Sequence, residues 1–149
     1  KCAFITVRGD TPLNELVEDM LTAGAELHCL RDLTRGGLAA ALNEIARHAG
    51  VGIELDEGAV PVIDGVRGAC ELLGLDPLYV ANEGRLVAFC PAEAAEEMLH
   101  LMRAHRRAEN PAIVGQVVAG HPGIVELRSP FGGGRILDLL SGEQMPRIC

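Results

Sequence analysis

Between Leu13 and Gly24, apolar residues recur at Leu13, Leu16, Val17, Met20 and Leu21, the spacing of one helix face. Thr11 can cap this helix, Pro12 suits its first turn and Gly24 ends it. The same period predicts a second helix from about Leu38 to Ala49, with Leu38, Leu42, Ile45 and Ala49 on one face and Gly50 closing it. A third helix is predicted from about Val62 to Leu73, presenting Val66, Ala69, Cys70 and Leu73 inward, with Gly74 after it. Pro91 opens a fourth helix that runs to about Arg103 and buries Ala95, Met98, Leu99 and Met102. Six segments read as extended: Ala25–Leu30, Val51–Asp56, Arg85–Cys90, Ala112–Ala119, Ile124–Arg128 and Arg135–Leu139. Helices and strands alternate irregularly, which predicts a single α+β layered domain, a mixed sheet covered by about four helices. Residues 1–140 form that domain on this reading, and 141–149, which lack periodicity, form a mobile tail.

Composition narrows the class. With 149 residues, 48% of them hydrophobic, the chain can bury a core of its own. It has no Trp, one Tyr and three Phe, so the core is aliphatic and base-stacking platforms are not expected. A net charge of −8 without a basic stripe excludes nucleic acid and anionic membrane surfaces as natural partners. No stretch approaches the ~20 apolar residues of a spanning helix. The start, Lys1-Cys2-Ala3-Phe4, shows neither a signal-peptide pattern nor an initiator Met, and reads as the start of a truncated chain. Five Cys, widely spaced and without C-x-x-C, argue against a disulfide framework and for a reducing, cytoplasmic setting. Cys70 and Cys90 sit in apolar runs and read as buried hydrophobes. The five His make no metal signature, and His100 and His105 do not share a helix face, so no metal is expected to be bound by this chain.

Four features stand out as candidates for chemistry. The loop Asp32-Leu33-Thr34-Arg35-Gly36-Gly37 leads into a helix N-terminus, where free N–H groups attract anions and Arg35 adds a planar guanidinium. The same residues could equally be an ordinary helix start with two permissive glycines. Asn82-Glu83-Gly84 precedes a buried strand; Glu83 is either a positioned base or part of a turn. Phe131-Gly132-Gly133-Gly134 makes no phosphate motif and reads as a flexible turn before the tail. Cys149 is an exposed thiol at the end of the aperiodic tail, or else a tucked-in hydrophobe; Arg147 would favour its thiolate.

Together these residues resemble one family. Met145-Pro146-Arg147-Ile148-Cys149 is similar to the Pro-Arg-Ile-Cys ending of the HypE carbamoyl dehydratases of NiFe-hydrogenase maturation. Leu30–Gly37, Gly68–Asp76 and Ala81–Gly84 resemble the same family, and the likeness runs from about Cys2 to Cys149. The Thr-Arg-Gly-Gly loop is shared with a wider superfamily that includes aminoimidazole ribonucleotide synthetase. The resemblance implies that superfamily's C-terminal domain fold, with an N-terminal ATP-binding domain missing before Cys2. It implies that ATP and Mg bind mainly to that missing domain, so this chain alone should be inactive. It implies that Cys149 carries a carbamoyl group delivered by the carbamoyltransferase HypF, and that Glu83 accepts protons as the thiocarboxamide becomes a thiocyanate. Asp32, Thr34, Arg35, Gly36, Gly37 and Asn82 would contact nucleotide or intermediate, and Pro146, Arg147 and Ile148 would present the thiol. The cyanide would pass to iron on the HypC–HypD complex, and the full-length protein would be a homodimer. Two other readings remain open. A superfamily enzyme phosphorylating a free substrate would not need Cys149. A non-catalytic domain presenting a thiol would not need Glu83 or the Thr34–Gly37 loop.

Overall fold

The computed structural model describes residues 2–9 and 13–139. The expected cap Thr11, Pro12 and the tail with Pro146, Arg147, Ile148 and Cys149 lie outside the described residues. The described residues form seven strands and four α-helices. The strands are β1 (Cys2–Gly9), β2 (Cys29–Leu33), β3 (Gly52–Asp56), β4 (Asn82–Pro91), β5 (Ala108–Val118), β6 (Val125–Arg128) and β7 (Gly134–Ile136). The helices are α1 (Asn14–Thr22), α2 (Gly37–Ala49), α3 (Asp64–Leu73) and α4 (Ala95–Ala104). One sheet runs β2-β4-β1-β5-β3-β6-β7, antiparallel throughout except for the parallel pair β3–β6. This is the mixed, helix-covered sheet that the periodicity predicts.

The expected order lacked its central strand. Cys2–Gly9 shows no periodicity that marks an element, yet β1 pairs with both β4 and β5 in the middle of the sheet. The reason is physical. Ala3-Phe4-Ile5-Thr6-Val7 is buried on both faces, so it shows no apolar–polar alternation to read. The alternation exists in space instead. Ala3, Ile5 and Val7 join Leu86, Ala88 and Cys90 of β4 beneath α1 and α4. Phe4 joins Val87 and Phe89 beneath α2, its ring stacked on Phe89 with centroids 5.0 Å apart. Each buried Ile, Val, Leu or Phe among them contributes roughly 1.5–3 kcal/mol of burial free energy.

α1 and α4 present the predicted stripes: Leu16, Met20, Ala95, Met98, Leu99 and Met102 are buried, although Leu21 faces solvent. α2 ends at Gly50, whose left-handed φ of 65° is the expected helix stop. Within α2, Asn43 is buried and its Nδ2 donates to the carbonyls of Ala39 at 2.9 Å and Leu137 at 2.7 Å, tying the chain beyond β7 to the core. α3 departs from expectation. Only Cys70 is buried, while Val66 is 39% and Leu73 70% exposed. Periodicity located the apolar face of α3 but not what covers it: the helix lies beside the 77–79 turn, at the margin of the sheet.

Candidate functional site

A cavity of about 300 Å³ opens where β2 gives way to α2 and where β4 begins. Asn82, Glu83 and Arg85 of β4 line it together with Arg8 of β1. An apolar wall is supplied by the 60–63 segment, Val66 of α3, and Pro77, Leu78 and Val80. The backbone explains how these three polar residues at the start of β4 reach it. Asp32 pairs with Leu86, but the next residue, Leu33, pairs with Asn82, so Glu83, Gly84 and Arg85 bulge away from β2. Bulges of this kind re-aim side chains beside active sites. Gly84 permits it: its φ is +67°, and a Cβ there would stand 2.7 Å from the Gly9 carbonyl oxygen. Asn82-Glu83-Gly84 therefore starts the strand rather than preceding it.

The second sequence motif lies behind the cavity rather than in it. Leu33 and Leu38 line the cavity, whereas Asp32, Thr34, Arg35, Gly36 and Gly37 between or beside them do not. Arg35 and Asp32 are exposed, and Thr34 is half-buried. Gly36 and Gly37 both take left-handed backbone, with φ of 64° and 62°. Gly37 is pressed against the cavity wall from outside, since a Cβ at this position would lie 2.6 Å from both the Leu78 and Val80 carbonyl oxygens. Gly37→Ala is expected to lower stability by at least ~1–3 kcal/mol, because it adds backbone strain and a clash with fixed carbonyls. Gly74→Ala is the control: φ is +66° but nothing lies within 4 Å, so it should lose clearly less. Urea midpoints at unchanged m-value read both; equal losses would show that the close approach at Gly37 carries no energy.

Sequence reading missed the two arginines. Arg8 and Arg85 are direct partners across the β1–β4 ladder. Arg85 Nη1 donates to the Pro61 carbonyl at 3.1 Å, while its buried Nε has no partner. Burial holds the Arg85 guanidinium below its ordinary pKa, and the charge of Arg8 pushes it the same way. The available signal was Arg8 interrupting the apolar run Cys2–Val7, but the pairing that brings it to Arg85 is a tertiary fact. Beside the cavity, Tyr79 donates its hydroxyl to the Asp138 carbonyl at 2.8 Å, and Arg135 pairs with Asp76 at 3.0 Å. These contacts fix the last described residues against the turn that forms the cavity wall. Among the described residues, no group of three or more His, Cys, Asp or Glu could hold a metal ion, and no helix is long and apolar enough to cross a membrane.

Comparison with known proteins gives a consistent picture. Residues 6–128 match the family described as AIR synthase related protein, C-terminal domain. The carbamoyl dehydratase HypE of Azotobacter vinelandii is 59% identical over 137 residues, covering 92% of this chain and 40% of that protein. The chain thus spans about 40% of the length of the curated relatives it matches. A crystal structure of the hydrogenase maturation protein HypE superposes with a TM-score of 0.90 at 38% identity, over 99% of this chain and 56% of that one. A HypE structure in complex with ATP gives 0.87 at 37% identity, over 99% and 52%. A HypE–HypF complex gives 0.84 at 33% identity, over 92% and 52%.

Proposed function

This chain belongs to the AIR synthase related family, whose C-terminal domain it matches over residues 6–128, and from that premise we propose that it is the C-terminal domain of an ATP-dependent carbamoyl dehydratase of hydrogenase maturation. The observation that carries the reading is Glu83. It lines a half-apolar cavity beside Asn82 and two guanidiniums, in a chain 59% identical to a carbamoyl dehydratase. The reaction is R–S–C(O)NH₂ + ATP → R–S–C≡N + ADP + phosphate, with R–S the side chain of Cys149. The amide oxygen is phosphorylated by ATP, which converts it into a leaving group. The N–H protons and the phosphate then depart, and Glu83 is the base that receives a proton. ATP and Mg are assigned to the part of the relatives that this chain does not cover, so the 149-residue chain alone should not turn over.

Asn43 and Tyr79 hydrogen-bond the carbonyls of Leu137 and Asp138, which fixes the last described residues beside the turn that forms the cavity wall. Ten extended residues reach at most ~33–36 Å, enough for one thiol to visit a loading enzyme, the cavity and an acceptor. The loading enzyme is proposed to be a HypF-type carbamoyltransferase, in keeping with the HypE–HypF complex among the similar structures. The acceptor is proposed to be the HypC–HypD complex, the full-length protein a homodimer and the compartment the cytoplasm. The test is direct. Full-length protein, carbamoyl phosphate, ATP and the loading enzyme should yield a C-terminal peptide that first gains a carbamoyl group and then loses one water. A peptide that is loaded but never loses water would overturn the reading.

The Thr34–Gly37 loop is proposed to meet nucleotide phosphate from outside the cavity, because Arg35 is exposed at a helix start with no side-chain cap. In the full-length protein, Arg35→Ala should weaken ATP affinity by about tenfold, one charge-assisted contact's worth, without moving the unfolding midpoint. Unchanged affinity would return the loop to a purely structural role as a helix start.

A further inference from the structure

Arg8 and Arg85 face one another as ladder partners and line the same cavity, an arrangement that is unfavourable unless something negative is bound. No described carboxylate relieves it at Arg85, whose guanidinium donates to the Pro61 carbonyl instead. Arg8 meets Glu109 at 3.5 Å, but that pair is about 40% exposed on each side and Glu109 lies outside the cavity lining. Exposed pairs of this kind contribute little. A tether to the 60–63 segment would explain Nη1 of Arg85, but it leaves Nε buried and unpartnered, which is costly. Glu83 does not fill the gap, since it forms no ion pair with either guanidinium although all three line one cavity.

We propose that Arg8 and Arg85, with the side-chain amide of Asn82, form an oxyanion subsite in this cavity that takes a phosphoryl group. Guanidinium forks match phosphate oxygens, and Val60, Pro61, Val62 and Leu78 give the cavity an apolar wall beside them. The choice of phosphoryl over another oxyanion rests on the ATP-dependent reaction proposed above; the cation pair itself does not. Within that reaction, the subsite receives the leaving group. The C–O bond breaks, its electron pair departs on the phosphate toward the two guanidiniums, and the remaining N–H proton goes to Glu83. Leaving-group charge and proton would then be accepted within one cavity of about 300 Å³.

The test uses the 149-residue chain and inorganic phosphate, with no turnover required, so it stands or falls apart from the dehydration reading. Phosphate titrated at constant ionic strength should shift the arginine Nε–H resonance of Arg85 and the amides of Asn82–Arg85, saturably. Acetate at the same concentrations should shift them far less. Arg85→Gln should weaken phosphate binding by about tenfold or more. Arg8→Gln, at a side chain exposed enough that folding should survive, should weaken it by a smaller factor in the same direction. Four results would overturn the subsite: no phosphate response at residues 8 and 82–85, a response confined to Gly36–Leu38, acetate acting as strongly as phosphate, or Arg8→Gln binding phosphate as well as the parent chain.

Discussion

Replacing Glu83 with Gln in the full-length protein is expected to leave carbamoyl loading intact and to slow dehydration by about 10²–10⁴-fold, the usual contribution of a positioned base. Gln keeps the size and polarity of the side chain but cannot accept a proton. The backbone should tolerate the change, because the bulge is set by Gly84 and by the Leu33–Asn82 pairing, not by the carboxylate. Glu83 is exposed and makes no described ion pair, so its neutralisation should cost little stability. Mass spectrometry of the C-terminal peptide separates the two half-reactions: the variant should accumulate the thiocarboxamide and show almost no thiocyanate. Conversion at the parent rate would remove Glu83 from the chemistry and leave the cavity without its base. Loss of loading as well would place Glu83 in partner recognition instead. Glu83→Asp should recover part of the rate, since it restores a base at a shorter reach.

How far this was legible in the sequence depended on whether local rules were sufficient. α4 was readable because Ala95, Met98, Leu99 and Met102 repeat at helical spacing and all four are buried. α2 and its Gly50 stop were readable for the same reason. β1 was not, because burial on both faces erases the alternation that marks a strand, and Phe4 and Ile5 belong to different halves of the core. Val66 and Leu73 show the limit from the other side: their spacing fixes a helix face, but cover is a property of neighbours. At the site, Asn82-Glu83-Gly84 stood out as a motif, yet the three-residue slip that turns it toward the cavity exists only once β2 and β4 are paired. Arg8 and Arg85 were invisible as a pair for the same reason. The Thr34–Gly37 loop was legible, but Gly37 is needed for its close approach to the Leu78 and Val80 carbonyls, a packing role that phosphate arguments do not predict.

Cys149→Ala in the full-length protein is expected to abolish carbamoyl loading and hydrogenase maturation altogether while leaving the unfolding midpoint unchanged. The stability half is expected because one terminal residue adds little apolar area to the two clusters that the described residues build. The activity half follows from what the other four thiols can do. Cys70 and Cys90 are buried, and Cys2 and Cys29 are half-buried. Burial pushes the Cys90 and Cys2 thiols above their ordinary pKa, which lowers the thiolate fraction available for attack. Cys2 and Cys90 also sit at one end of β1 and β4, while the cavity with Glu83 lies at the other, where Arg8 meets Arg85. A carbamoyl group on either would be held by a rigid strand away from the proposed base. Alkylation under native conditions should therefore label Cys149 first and Cys90 last. After incubation with the loading enzyme, carbamoyl phosphate and ATP, the added mass should map to the peptide ending Pro146-Arg147-Ile148-Cys149 and to no other. A Cys149→Ala variant that still matures hydrogenase, or a carbamoyl group found on Cys2, Cys29, Cys70 or Cys90, would sink the assignment of the carrier thiol and with it the role proposed for the tail.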